Sequence, residues 1–250
     1  MKINYAGLIL LWVALMNFTK PNAIKENLKY EGFQLQKVGE SSKELLSDKT
    51  FTALKIEIQY MSGFQPDTIA VAELKSFLYK HLHKPGGISI TTKEIAPSED
   101  IVLTTDDLVS IEQINRTAFT SSNEIAVYLL YTNGYYEENI MLGYAYQNTS
   151  AVLFGKNVWE SSNAIKKPNR TYLETRILQH EVCHLLGLVN VGAPLRSDHK
   201  DNDHGKHCIN KKCLMYYQTA TEEPEGALLP KEIPVLDNQC MDDLRANGGK

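Results

Sequence analysis

The chain has 250 residues, a formal net charge of −4, 43% hydrophobic residues and 22% charged residues. That length is sufficient for one sizeable domain with a substantial core, and the composition is ordinary for a globular protein. Because the balance is slightly acidic and no basic run occurs, nothing indicates nucleic acid or a membrane surface as a partner.

The N-terminal residues resemble an export signal. Lys2 supplies a positive charge, and residues 6–16 form an apolar run too short to span a bilayer comfortably. We predict a signal peptide over residues 1–23, with cleavage after Ala23. The mature protein would then be exported, to the periplasm, the cell surface or the medium, without stable membrane insertion. An uncleaved N-terminal anchor is the alternative.

The remaining chain divides into a polar lead-in and one domain. Residues 24–50 are polar and charged, which predicts a poorly ordered N-terminal extension. Residues 51–250 show no internal repeat and no second boundary, so we assign them to a single domain.

Hydrophobic periodicity predicts alternating strands and helices in that domain. The apolar segment 124–134 should be the central strand of a sheet, whereas segment 97–109 is polar and predicts a loop. This order indicates an α/β (α+β) sandwich, in which a mixed sheet packs on two long helices. The predicted strands are 54–61, 88–96, 124–134, 141–146 and 151–155, and the predicted helices are 68–82, 110–119 and one that starts at residue 171.

The segment HEVCHLLG, residues 180–187, carries the strongest chemical signal. On a helix, His180 and His184 lie on one face, one turn apart, and can bind one metal ion. Glu181 lies between them and is suited to act as general base on a metal-activated water. Gly187 follows where a helix must end and turn the chain back. Upstream, Thr171 and Glu174 predict a capping box at the start of this helix.

These residues resemble the metzincin zinc metalloproteases. HEVCHLLG matches the first part of their signature, and KCLMYY, with Met215, is similar to their Met-turn. The segment HCINKKCLM, residues 207–215, is similar to the archaemetzincins. The resemblance implies a metzincin-like fold, in which a loop-rich lower subdomain with the Met-turn follows the active-site helix. It also implies one catalytic Zn²⁺ and a peptide or protein substrate.

The third zinc ligand is where the chain departs from the pattern. Asn190 occupies the usual position, but an amide is a poor zinc ligand beside two imidazoles. The resemblance assigns the role to His207, because His207 keeps the family's spacing to the Met-turn. His199 and His204 are rivals in the intervening insertion. Residues 198–204 could also bind a second ion, calcium or zinc, although a solvated polar loop is the simpler interpretation.

The four cysteines all lie in the C-terminal half of the chain. Cys208 and Cys213 are close in sequence, so we predict that they pair as a disulfide after export. Cys183, inside the zinc helix, should be a buried thiol. Archaemetzincins use a later CxxC pair for a structural zinc, but this chain has only Cys240 there. The resemblance therefore does not lead us to expect a second, four-cysteine site.

The residues support a zinc-dependent endopeptidase with Glu181 as general base. The resemblance to astacins in this turn suggests that Tyr217 hydrogen-bonds the oxyanion, and a core aromatic is the alternative. The strand at 141–146 should be an edge strand, antiparallel to its neighbour, that pairs with extended substrate. Two other functions remain open. One is a non-catalytic metal-binding surface protein, and the other is an HExxH hydrolase with a distal glutamate ligand from Glu222, Glu223 or Glu225.

Overall fold

A five-stranded sheet organises the protein. The computed structural model describes residues 30, 32–137, 141–162, 167–218 and 232–250. The strand order is β2-β1-β4-β7-β6; β6 is antiparallel to β7 and the other neighbours are parallel. β3 and β5 pair in a separate parallel ribbon. The strands are β1 (Ala53–Met61), β2 (Gly87–Ile95), β3 (Val102–Leu103), β4 (Glu124–Thr132), β5 (Tyr135–Tyr136), β6 (Gly143–Gln147) and β7 (Ser150–Phe154).

The helices are all found between or after the strands, except the first. The longest two, α2 and α5, pack against each other, and α5 also contacts β6 and β7. The predicted mixed sheet on two long helices is therefore confirmed, and so are the central place of β4 and the antiparallel edge strand β6. The helices of the described residues are α1 (Ser42–Leu46), α2 (Thr68–His81), α3 (Thr105–Asn115), α4 (Gly155–Ser162), α5 (Arg170–Leu185) and α6 (Asn238–Ala246).

The start of α5 differs from the prediction. Asn169 is the N-cap, and its side chain accepts a hydrogen bond from the Tyr172 N–H. The predicted capping box of Thr171 and Glu174 is wrong, because both side chains reach instead to Asp67 at the start of α2. Glu174 accepts from the Asp67 N–H at 2.8 Å, and the Thr171 hydroxyl donates to the Asp67 carboxylate at 2.7 Å. These bonds join the N-termini of the two long helices.

The segment predicted as a loop at 97–109 contains the strand β3 and the first half of α3. The Thr104 side chain accepts from the Asp107 N–H, and the Asp107 carboxylate accepts from the Thr104 N–H, so the two form a capping box. The sequence carried this signal, but with aspartate at the position where glutamate is usual.

Of the polar segment 24–50, which was predicted to be poorly ordered, residues 32–50 are folded against the rest of the domain. Leu45 and Leu46 of α1 are buried, as is Phe51 just after the segment. The Lys84 ammonium donates to the backbone carbonyls of Glu44, Ser47 and Phe51, which ties the segment to the chain after α2. The predicted signal peptide, residues 1–23, lies outside the described residues. No helix in the described part of the chain is long and apolar enough to span a membrane.

After α5 the chain is rich in loops, as predicted, up to residue 218. Gly187 ends the helix with a φ of 95°, a left-handed conformation that favours glycine. A Cβ there would lie 2.4 Å from the Ala193 nitrogen, so no other residue fits. The N–H groups of Val191 and Ala193 both donate to the Gly187 carbonyl, which turns the chain back on itself.

Candidate metal centre and active site

His180 and His184 are buried on one face of α5, and each ring has a fixed hydrogen-bond partner. The Nδ1 atom of His180 lies 2.9 Å from the Leu214 carbonyl, and that of His184 lies 2.8 Å from the Leu188 carbonyl. A carbonyl oxygen only accepts, so both Nδ1 atoms carry the proton. The lone pair of each imidazole is therefore on Nε2, the nitrogen that remains free to bind a metal.

The structure brings His207 to the same place. Its Nδ1 donates to the His204 carbonyl at 2.7 Å, so its Nε2 also carries a lone pair. The ring centroids of the three histidines are 4.9 to 5.3 Å apart, and one nitrogen from each lies within 4.8 Å of the others. Burial lowers the pKa of His180 to about 3 and that of His184 well below its usual value, and it also lowers the pKa of His207. The three neutral imidazoles are a donor set that suits zinc.

A short hairpin delivers His207. His199 and Ile209 pair across it, as do Asp201 and His207, through backbone hydrogen bonds of 2.8 to 3.0 Å. Asn190 occupies the position where the metzincins, which this chain resembles, have their third ligand. Its side chain is instead exposed, and its φ is 60°. The sequence alone could not show this pairing, because it joins residues of the insertion to the segment that precedes the Met-turn.

Met215 lies in a turn whose backbone is bonded both to His180 and to the segment that carries His207. Its side chain is fully buried, and the carbonyl of the preceding Leu214 accepts the hydrogen bond from His180. The Met215 carbonyl accepts from the Cys208 N–H at 2.8 Å, which joins this turn to the residue that follows His207. The turn thus orients the imidazole of His180 and anchors the backbone that follows His207.

Glu181 is buried beside the histidines. Burial raises the pKa of Glu181 to about 8, although the backbone N–H of Ala145 in β6 donates to the carboxylate and opposes the rise. A carboxyl group whose pKa lies near neutrality can both accept and return a proton. Glu181 is therefore suited chemically to exchange a proton with a neighbouring molecule.

A cavity of about 490 Å³ lies over these residues. Tyr144 and Ala145 of β6 line one side, and Lys206 and Tyr217 line another. The three histidines and Glu181 line it as well, so any molecule in the cavity meets the three imidazoles and the Glu181 carboxyl group together.

Gly143 of β6 has no room for a side chain. A Cβ there would lie 2.6 Å from a methyl group of Ile177 and 2.8 to 2.9 Å from the Glu181 side chain. We expect Gly143→Ala to displace Glu181 and to lower kcat/KM about tenfold or more for the peptide hydrolysis that the sequence predicts, because small misplacements of a catalytic group cost that much. Steady-state kinetics with the zinc-loaded variant measure this. Gln147→Ala, at the other end of the same strand, should retain activity, and full activity of both variants would contradict the steric argument.

Tyr217 and His204 stack at the edge of the cavity. Their ring centroids are 3.4 Å apart with an angle of 4° between the planes, and Tyr217 is 38% exposed. His204 Nδ1 also bonds to the Asp201 carboxylate at 2.8 Å. The ring of His204 is thus bonded to Asp201 and stacked on Tyr217, and it does not join the three histidines. Tyr217 lines the cavity and is not the buried core aromatic of the alternative interpretation.

The side chains of residues 198–204 do not gather around one ion, so the simpler interpretation of this segment as a polar loop is favoured over the ion-site alternative. The Asp201 carboxylate accepts hydrogen bonds from the N–H groups of Asp203 and His204 in its own loop. His199 points away from this loop and is fully buried beside Asp243. In the part of the chain that is described, two groups of side chains could hold a metal: the three histidines, and His199 with Cys208, Asp237 and Cys240.

The predicted disulfide between Cys208 and Cys213 is wrong, because all four cysteines are buried free thiols. The predicted buried thiol at Cys183 is confirmed. Cys240, which had no evident partner in the sequence, lies with its Sγ 3.6 Å from the Sγ of Cys213. The spacing of Cys208 and Cys213 did signal a site, but the site includes residues far away in the chain.

The sheet, the two long helices and the loop-rich region after Gly187 together define an archaemetzincin-like fold. The chain is similar to the crystal structure of archaemetzincin from Methanopyrus kandleri, with 15% identity, a TM-score of 0.52, and coverage of 78% of this chain and 96% of that chain. It also matches metalloproteinase-II from Bacteroides fragilis, with 13% identity, a TM-score of 0.45, and coverage of 86% of this chain and 57% of that one. No protein-family model and no curated protein matches the sequence.

Proposed function

We propose that this chain is a zinc-dependent endopeptidase. One observation carries the proposal: three neutral imidazoles, from His180, His184 and His207, converge with free Nε2 atoms in the cavity where the Glu181 carboxylate is buried. Three protein ligands leave a fourth position of a tetrahedral zinc ion open, as catalytic sites do.

The protein residues then have distinct roles in hydrolysis. Zinc held by the three imidazoles would supply a Lewis acid for the peptide carbonyl and lower the pKa of an attacking water. Glu181 would accept the proton of that water and pass it to the leaving amine. Tyr217, at the cavity edge, would donate a hydrogen bond to the oxyanion that develops on the carbonyl oxygen.

The edge strand β6 supports a peptide as substrate. It is the last strand of the sheet, and Gly143, Tyr144 and Ala145 line the cavity above Glu181. An extended peptide could add to this edge through main-chain hydrogen bonds, which would place a peptide bond near the metal. Such binding depends on the backbone of the substrate, so it fits cleavage inside a chain.

Two further parts of the proposal concern context. The apolar N-terminal run supports export of the protein, with residues 1–23 removed as a signal peptide. Glu222, Glu223 and Glu225, the candidate distal ligands, lie outside the described residues. Because His207 already supplies a third donor, the three-histidine site is favoured over the distal-glutamate alternative.

The proposal is tested by incubating the zinc-loaded chain with an unfolded protein and detecting new N-termini by mass spectrometry. We expect internal cleavage that a chelator abolishes and added Zn²⁺ restores. Zinc bound in stoichiometric amount without any cleavage would overturn the peptidase assignment and favour the non-catalytic metal-binding protein.

A further inference from the structure

Three cysteine sulfurs and one histidine nitrogen, from three segments of the chain, lie close together away from the three histidines of the candidate metal centre. Cys240 lies on α6, Cys208 and Cys213 flank the turn before Met215, and His199 comes from the insertion. The Sγ atoms of Cys213 and Cys240 are 3.6 Å apart, and the Sγ of Cys240 is 3.8 Å from the Nδ1 of His199. All four side chains are at most 1% exposed.

These separations fit a bound metal and not a disulfide. A disulfide has its sulfurs about 2.05 Å apart. Zinc–sulfur bonds of about 2.3 Å in a tetrahedron place neighbouring ligand atoms about 3.8 Å apart. The observed sulfur–sulfur and sulfur–nitrogen distances lie close to that value.

The surroundings prepare these atoms for a metal. His199 Nε2 donates to the Asp243 carboxylate at 2.8 Å, so the lone pair of the ring is on Nδ1, which faces Cys240. Both residues are fully buried, and a carboxylate behind a histidine is the usual support of a zinc ligand. The other oxygen of Asp243 accepts from the Arg196 N–H at 2.7 Å, which fixes the carboxylate in turn.

Backbone N–H groups point at the sulfurs. The N–H of Met215 and that of Asp237 each lie 3.4 Å from the Cys213 sulfur, and the N–H of Asn210 lies 3.5 Å from the Cys208 sulfur. Hydrogen bonds of this kind favour the charged form of an acceptor, here the thiolate that binds zinc.

Asp237 is the rival for Cys213 as fourth donor, because its carboxylate lies near the group. Its Oδ1 accepts from the Cys240 N–H as the N-cap of α6, and its Oδ2 accepts from the Asn210 side chain at 2.9 Å. Both oxygens are thus already engaged, whereas the Cys213 sulfur accepts from two backbone N–H groups and lies against the Cys240 thiol. Three cysteines and one histidine are also an established ligand set of structural zinc sites.

We infer that His199, Cys208, Cys213 and Cys240 bind a second, structural zinc ion, with His199 supplied by the insertion. The archaemetzincins, which this chain resembles, hold a structural zinc with cysteines, but this chain lacks the fourth cysteine of such a site. His199 provides the missing donor, and Asp243 orients it. Because four protein ligands fill the tetrahedron, this ion is structural and the inference does not depend on peptidase activity.

Metal content and cobalt substitution test this inference. Wild type should bind two zinc ions per chain. Its Co²⁺ form should show the sulfur-to-cobalt charge-transfer absorption that imidazole ligands do not give. His199→Ala should weaken the thiolate band and lose one zinc ion. His180→Ala should also lose one zinc ion but keep the thiolate band, which separates this site from the proposed catalytic one.

Two controls bear on the donor set. Asp237→Asn keeps a good N-cap and should keep both ions and the band. Cys183→Ser should do the same, because Cys183 lies outside the cluster. Should a cysteine variant of the cluster fail to fold, titration of folded wild type with an organomercurial should release one zinc ion as three thiols react.

Several results would overturn the inference. One is a single zinc ion in wild type with no thiolate band. Another is a Cys213–Cys240 disulfide in the mass spectrum of the purified protein. Unchanged metal content and cobalt spectrum in His199→Ala would remove His199 from the site, and loss of the band in Asp237→Asn would replace Cys213 with Asp237.

Discussion

Glu181→Gln should keep its zinc and lose peptide hydrolysis by a factor on the order of a hundred or more. The amide has nearly the shape of the carboxylate, so the metal ligands on either side stay in place, but it cannot accept a proton from the attacking water. The measurement is kcat for cleavage of an unfolded protein, together with zinc content, for wild type and variant.

A matched control is Glu73→Gln, the same substitution at an exposed position of α2. It should leave both zinc content and kcat unchanged. If the Glu181 variant cleaved at the wild-type rate with its zinc retained, Glu181 would not be the base, and the cavity would need another proton acceptor.

His207→Ala should lower the affinity for the catalytic zinc by orders of magnitude, because it removes one of only three protein ligands. His204→Ala should lower it much less, since His204 contributes its backbone carbonyl, which any residue supplies, and its ring stacks on Tyr217 outside the triplet. Competition with a chelator of known affinity measures both variants.

The absorption spectrum of the cobalt-loaded variants distinguishes loss of the ion at the three histidines from loss of the ion at the cysteine cluster. His207→Ala should retain the thiolate band while the catalytic ion is lost. An unchanged zinc affinity in His207→Ala, with a loss in His204→Ala, would transfer the third position to His204 and leave the peptidase proposal standing.

The elements that the sequence predicted well are those whose signals are local. The periodicity of α2 reflects the one face of that helix that is buried, and the apolar run of β4 reflects the burial of both faces of a central strand. The capping box at Thr171 failed for the opposite reason. Glu174 bonds to the N-cap of another helix, more than a hundred residues away in the chain, and no local pattern shows that.

The residues of the candidate site also differ in how local their sequence signals are. His180, Glu181 and His184 sit on one helix, so their spacing predicts their common face. His207 had two rivals in a segment without periodicity, and the spacing that favoured it came from the resemblance. In the structure the hairpin places His207 beside the other two histidines, whereas His199 bonds to Asp243 and His204 to Asp201. The cluster around Cys240 was missed because its donors come from three segments, and because the nearest pair of cysteines in sequence suggested a disulfide.

The hairpin that carries His207 has a consequence for the length of this region. The bridge between Lys200 and Cys208 closes the hairpin on itself, and the backbone of Val189 bonds directly to Lys206. Residues 190–198 therefore form a loop, called the excursion here. Its two ends are held in place by the bond at Val189 and by the hairpin bridge at Lys200. Loop closure depends only weakly on loop length, so a related chain could carry a longer or shorter excursion at little entropic cost if it replaced the contacts made here, such as the bond from the Arg196 N–H to Asp243. A search pattern with a fixed gap between Gly187 and the third histidine would thus overlook proteins with this architecture, whereas one that allows a variable gap and keeps the spacing from His207 to Met215 would recover them.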